Sequence, residues 1–263
     1  MTIQIKNTST YQYELEKKLE KKYGLKHVSV VSNNDKTERI LQAIAASVSG
    51  YLKEITTGNV SIGISAGTTI AGVIYHLQPI DSHNVDVYQM MGDASHQTSN
   101  CSSFLTIDLA KILRGVPHAM HVPLLVHTKV LRDLLLEEPL NKRHFQKLKN
   151  LDIAIVGLGH INSLLPDISD TWYNFTEDKE ELWQKGVVGD ICGVFIDQDG
   201  NICRADIYDR TITMDIEQLR EIPDCIAMAF GRNKKQIAKA AIKGRYVNVL
   251  MIDEELACAL LEE

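Results

Sequence analysis

Apolar residues run through this chain in two rhythms. From Tyr11 to Tyr23 they stand among dense charges at helical spacing, Leu15 and Leu19 four apart, which predicts a first helix stopped by Gly24. A short strand, HVSVV, follows. Asp35 and Glu38 then form a capping pair for a long helix whose stripe is Ile40, Ile44, Val48 and Tyr51–Leu52.

From there the chain repeats one unit: apolar strand, glycine-bearing turn, helix. NVSIGIS leads through AGTT into IAGVIYHL, and VDVYQM leads through MGDASHQTSN into a helix over 101–113. LDIAIVGLG is a third strand, CIAMAF opens through GRNKK into QIAKAAIK, and YVNVLMI precedes a last helix, DEELACALLEE. Gly115 and Gly244 sit where helix C-caps belong. Strands that are apolar almost throughout, alternating with helices, predict a parallel sheet covered on both faces. No Pro- or Ser-rich linker divides the chain. The expectation is one three-layer α/β domain, Rossmann-like and mainly parallel.

Composition narrows the function classes. With 263 residues, 44% of them hydrophobic, the chain has material for a large core and does not read as disordered. Its apolar runs break well short of the ~20 residues a membrane span needs. MTIQIKNTSTYQYELEKK lacks the apolar centre of a secretory signal. A soluble cytoplasmic protein with no membrane partner is expected. A formal charge of -6 argues against a basic stripe for a phosphodiester backbone, which disfavours nucleic-acid binding by this chain itself. The cysteines (Cys101, Cys192, Cys203, Cys225 and Cys258) form no C-x-x-C pair, so reduced, buried thiols are expected rather than zinc ligands or disulfides.

Ligands of open parallel sheets bind beyond the carboxyl ends of the strands. Ser65-Ala66-Gly67-Thr68-Thr69 lies in such a turn, between an apolar strand and a helix. Glycine permits close backbone approach, two hydroxyls add donors, and the helix start presents unpaired N–H groups, together a seat for phosphate. An ordinary strand-to-helix turn with a threonine N-cap fits the same residues. The GK[ST] ending of an ATP-binding P-loop is missing. Gly231-Arg232-Asn233-Lys234-Lys235 is a second such turn. Its cations oppose the helix dipole unless a bound anion reverses the sign, or they extend into solvent. Asp190, inside the glycine-spaced run GVVGDICGVF, needs hydrogen-bond partners when buried. Ligand hydroxyls or local backbone N–H groups would serve.

Other features point away from chemistry. His118, His121 and His127 have loose metal spacing with no helix or carboxylate to complete a site, and neither metal nor cofactor is expected. DQDGN at 197–201 starts like a calcium loop, but its glycine comes two positions early and Tyr208 stands where the closing glutamate belongs. A hairpin with a glycine turn is expected there. Gly157-Leu158-Gly159 lacks the third glycine of a dinucleotide fingerprint, Asn162 standing in its place. No nucleophile elbow is present, and no Ser or Cys has an evident His partner.

At these same turns the chain resembles the sugar-binding effector domain of the SorC family of bacterial transcriptional regulators, over nearly its whole length. The resemblance rests on YELEKKLEKKYGLKHVSVV, on Gly63-x-Ser65-x-Gly67-x-Thr69, and on Met91-Gly92 with Asn100 beyond. LDIAIVGLG, GVVGDICGVFIDQDG and FGRNKKQIAKAAIKGRYVNVLMIDEELACALL, in that order, make it specific. It implies a fold similar to sugar-phosphate isomerases and deaminases, serving as a sensor and not as an enzyme. It implies a phosphorylated sugar or related polyol as effector, assembly as a homodimer or homotetramer, and DNA contact through a helix-turn-helix domain. That domain is expected to be missing from this chain, with residues 1–8 a connector remnant and 9–263 the effector-binding domain. Carried over by position, Gly67, Thr68 and Thr69 seat the phosphate beside Ser65. Asp190 holds sugar hydroxyls, Lys234 reaches the phosphate or a ring oxygen, and Gly92 and Asn100 belong to a second ligand loop. Met90-Met91-Gly92-Asp93 and Phe230-Gly231 replace glycine pairs usual in the family. Asp93 would then narrow that side or repel an anion, and the pocket would be tighter.

The expected function is effector-controlled DNA binding by a full-length regulator. The alternative is an enzyme like a sugar-phosphate isomerase or deaminase, for which Asp190 is the one candidate general base. A third reading is an oligomerisation module with a vestigial pocket.

Overall fold

The computed structural model describes residues 10–33, 36–94, 101–160 and 175–262. The first half of the chain alternates helices and strands: α1 (Thr10–Tyr23), β1 (His27–Val31), α2 (Thr37–Ile55), β2 (Val60–Ile64), α3 (Thr68–His76), β3 (Val85–Gln89), α4 (Ser102–Ile112) and β4 (Val116–His118). Next come α5 (Lys129–Glu137), α6 (Pro139–Leu148), β5 (Ile153–Gly157), β6 (Gly159–His160), α7 (Phe175–Gln184), β7 (Val187–Ile191) and β8 (Val194–Asp197). The chain ends through α8 (Asp206–Arg210), β9 (Asp224–Ala229), α9 (Lys235–Lys243), β10 (Val249–Asp253) and α10 (Glu254–Leu261).

Seven strands form one sheet in the order β1-β10-β9-β5-β2-β3-β4, every pairing parallel. Along each strand successive side chains face opposite ways. Ile153 and Ile155 enter the core under α2, α3 and α4, while Ala154 and Val156 enter the core shared with α1, α9 and α10. Both faces are therefore covered, which is why the strands read as continuous apolar runs. The winding runs outward from β2 through β3 to β4, then returns to β5 on the other side of β2 and continues to β9 and β10. Turns leaving β2 and β5 diverge at this reversal and leave a crevice above their carboxyl ends.

Two parts of the fold depart from the pattern. Residues 129–137 and 139–148, a stretch not predicted as any element, form α5 and α6. Leu134, Leu135 and Leu136 are consecutive, and α5 buries none of its residues, so no inward stripe announces it. The second is a small antiparallel sheet, β6-β7-β8, laid beside the parallel one. Its hairpin turns at Cys192 and Gly193, both at positive φ (53° and 75°), the twist that a two-residue hairpin turn requires. The DQDGN turn forms as expected: Asp197 Oδ1 accepts from the Asp199 and Asn201 N–H groups.

The helix stops are only partly as expected. Gly24 has φ 66°, and the Leu25 N–H donates to the Glu20 carbonyl at 3.1 Å, a glycine C-cap. Gly244 is the C-cap of α9 as expected, but in the right-handed conformation (φ -71°), whereas Leu113, not Gly115, caps α4. Arg114 (φ 51°) and Arg245 (φ 58°) take the left-handed conformation instead. The glycines are needed for closeness: a Cβ on Gly115 would lie 2.4 Å from the Val85 carbonyl oxygen, and one on Gly244 2.4 Å from the Tyr246 ring. Asp35, half of the expected α2 capping pair, lies outside the described residues.

Candidate functional site

The site begins where β2 ends. Ser65 is buried, its N–H donating to the Ile155 carbonyl at 3.0 Å and its Oγ accepting from the Gly157 N–H at 3.3 Å. It thus ties the ends of β2 and β5 together at the reversal. Gly67, not a threonine, occupies the N-cap of α3, at φ 139° with open space where a Cβ would point. No side chain among the described residues caps this helix. Its first N–H groups, led by those of exposed Thr68 and half-buried Thr69, face the crevice side with the positive end of the dipole.

Across the crevice stands the β7–β8 hairpin with Asp190. Its two oxygens have different fates. Oδ2 accepts from the Gly193 N–H at 3.0 Å, the turn-capping role, whereas Oδ1 is buried with no partner among the described residues. Burial pushes this carboxyl up to about 6, against the pull of the Gly193 bond and the Lys234 charge. Cys192 beside it is also pushed up, by burial and by Asp190, so the thiol is protonated and a poor nucleophile.

The third wall is the turn after β9, where three cations divide. Arg232 and Lys235 reach outward to Glu262. Lys234 turns inward, and its Nζ donates to the Leu158 carbonyl at 2.9 Å. Burial lowers its pKa, and the nearby Asp190 charge partly restores it. His160, at the end of β6, is lowered by burial and by the Lys234 charge. Lys234 and Asp190 thus act on each other beyond the end of β5, Ser65 ties β5 to β2, and the uncapped start of α3 at Gly67, Thr68 and Thr69 follows directly from β2, while one Asp190 oxygen is buried without a partner among the described residues. Such a set suits a ligand with an anionic end and hydroxyl groups.

Of the second loop, Gly92 and Asp93 lie among the described residues. Gly92 is buried, and a Cβ on it would lie 2.4 Å from the Pro123 carbonyl oxygen, so its glycine serves backbone packing. Asp93 caps α4, accepting from the Ser103 N–H at 2.9 Å and the Ser103 hydroxyl at 2.7 Å. Its carboxylate is thus committed to a helix start, whose positive end offsets part of its charge. Asn100 lies outside the described residues. His118 bonds Asp86 at 2.6 Å and stacks on Tyr88, and among the described residues no three His, Cys, Asp or Glu side chains gather as metal ligands. Gly159 belongs to strand β6, not to a helix-opening loop, so the Gly157–Gly159 pair is no dinucleotide turn.

The family model of the sugar-binding domain (Sugar-bind) matches residues 8–262. The chain belongs to the SorC-type sugar-binding domains. The deoxyribonucleoside regulator of Bacillus subtilis is 31% identical over 249 residues, covering 93% of this chain and 78% of the relative. The sorbitol operon regulator of Klebsiella pneumoniae is 28% identical, covering 94% and 80%. Among solved structures, the full-length sorbitol operon regulator SorC from Klebsiella pneumoniae superposes with a TM-score of 0.89 at 25% identity, covering all of this chain and 85% of that one. A probable sor operon regulator from Shigella flexneri gives 0.88 at 25% identity, over 96% of this chain and 100% of the other.

In this SorC-type domain, Gly67 lies at the turn after β2, Asp190 on β7 and Lys234 in the turn after β9. Three neighbours of these residues were not expected as site residues, although Met91 and Cys192 lie within the motifs themselves. Met91 Sδ accepts from the Ala66 N–H at 3.4 Å, Cys192 backs Asp190, and His160 approaches Lys234. The available signals were the glycine-paired hairpin turn for Cys192 and the Met91-Gly92 pair for Met91; nothing local marks His160. Among the described residues no helix is long and apolar enough to cross a membrane.

Proposed function

We propose that this chain is the effector-binding domain of a cytoplasmic, sugar-responsive transcriptional regulator, and that its effector is a phosphorylated sugar. The phosphate sits on the start of α3 at Gly67, Thr68 and Thr69, within reach of Lys234, and the sugar hydroxyls bond the Asp190 carboxyl. Occupancy favours one arrangement of loops and subunits, a coupling of about 1–3 kcal/mol. The domain assembles as a homodimer or homotetramer, and DNA is contacted through a helix-turn-helix domain outside this chain. The observation that carries the reading is the inward turn of Lys234, which donates to the Leu158 carbonyl within the field of Asp190, while its two neighbouring cations go to Glu262.

Calorimetric titration with sugar phosphates and their unphosphorylated counterparts tests it. A phosphorylated sugar is expected to bind, and Lys234→Ala to weaken it about tenfold or more. Equal binding by wild type and variant, or by both sugar forms, sinks the anion contact. One observation favours an isomerase-like enzyme instead: a carboxyl pushed up to about 6 suits a general base. Interconversion of aldose and ketose phosphates, abolished in Asp190→Asn, would overturn the sensor reading.

A further inference from the structure

Helix α5 is built unlike the other helices around the sheet. Five of its nine residues are apolar, yet none is buried. Leu135 and Leu136 lean on the small core of Met120, Val122, Val126 and Ile212. Val130, Leu131 and Leu134 face outward, Val130 68% and Leu134 63% exposed, with Leu140 of α6 75% exposed nearby in the chain. Single exposed leucines are ordinary; a continuous strip along one helix marks a contact surface.

The charges beside the strip say what covers it. Lys129, Asp133 and Glu137 recur every four residues and so lie in one line along its edge. Their order is wrong for an isolated helix: the first turn holds no acid, the last turn no base, and Lys129 and Glu137 stand at the ends whose partial charge repels them. A second copy lying antiparallel corrects this at both ends at once. A twofold axis beside Asp133 sets Lys129 opposite the partner's Glu137, and Glu137 opposite the partner's Lys129, with the two helix dipoles opposed. Asp133, which meets its own copy at the axis, is already held by Lys129 at 3.2 Å and Arg132 at 3.1 Å. The bond of Glu137 to Lys142, 2.6 Å, is an exposed pair that exchanges at little cost. A parallel copy would oppose like charges along the whole line.

We propose that the outward face of α5 is the surface through which two copies of this chain pair, antiparallel, about a twofold axis beside Asp133. This names the surface for the assembly proposed above and rests on that reading. Sedimentation equilibrium of wild type, Leu134→Asp, Lys129→Glu, Glu137→Lys and the double charge reversal tests it, with circular dichroism to check folding. Wild type is expected to dimerise, and Leu134→Asp to raise the dissociation constant about hundredfold. Each single reversal raises it about tenfold, because both symmetry-related pairs turn repulsive, and the double reversal restores it. Single reversals without rescue by the double overturn the antiparallel arrangement. A dimer indifferent to Leu134→Asp overturns this surface and leaves assembly standing; a wild-type monomer at every concentration overturns both.

Discussion

Asp190 Oδ1 lies against the Cα of Gly159, so closely that a methyl group there would fall 1.7 Å away. The two residues are partners in the β6–β7 register, and through them the end of β5 meets the hairpin that closes the crevice. Gly159→Ala must push the carboxylate aside. The expected cost is about 1–3 kcal/mol of stability, with effector binding lost alongside. Unchanged denaturant midpoint and unchanged binding would show that the contact does not exist.

The same carboxylate makes stability depend on pH. Its pKa is raised from 3.8 to about 6, chiefly by burial, so the folded chain holds this proton more tightly than the unfolded one. Its contribution to stability is greatest below the unfolded pKa and declines as pH rises through about 6, a span on the order of 3 kcal/mol. Urea unfolding at a series of pH values should show that fall in wild type. Asp190→Asn should remove that component of the slope; an identical slope in the variant would assign the proton elsewhere.

Asp93 separates a capping role from an electrostatic one. Asp93→Ala removes the acceptor for the Ser103 N–H and hydroxyl and is expected to lower stability by about 1–2 kcal/mol. Affinity for a sugar phosphate should stay within about twofold, since the charge is already offset at the helix start. A large gain in affinity would mean that Asp93 does repel the ligand.

Arg245 carries a left-handed backbone that a side chain resists, with φ 58° and an exposed position. Arg245→Gly should raise stability by roughly 0.5–1 kcal/mol, seen as a higher thermal midpoint. Gly244→Ala next to it should do the opposite, because its Cβ would press on the Tyr246 ring.

Much of this was legible in the chain. Ser65 to Thr69 and Lys234 were marked because a parallel strand, its turn and the following helix are contiguous, so their residue types show locally. The departures have non-local causes. Gly92 is glycine because Pro123 passes over it, and Gly115 because Val85 does; neither neighbour is near in sequence. α5 was missed because three of its five apolar residues, Val130, Leu131 and Leu134, face outward and none is fully buried, so its apolar side does not read as a core stripe. The antiparallel sheet was hidden because a glycine-spaced run does not say which strand it will pair with.

The sequence alone determined the parallel sheet, the two covered faces and the turns on which ligand chemistry would stand, since face alternation and strand-turn-helix order are properties of neighbouring residues. Tertiary structure alone decided how those turns are used. Lys234 enters the crevice by bonding a carbonyl 76 residues away, while Arg232 and Lys235 are drawn to Glu262. Asp190 divides its oxygens between its own turn and a buried position packed against Gly159 on another strand. Those choices depend on which strands lie side by side, and residues far apart in the chain meet only when the whole sheet has closed.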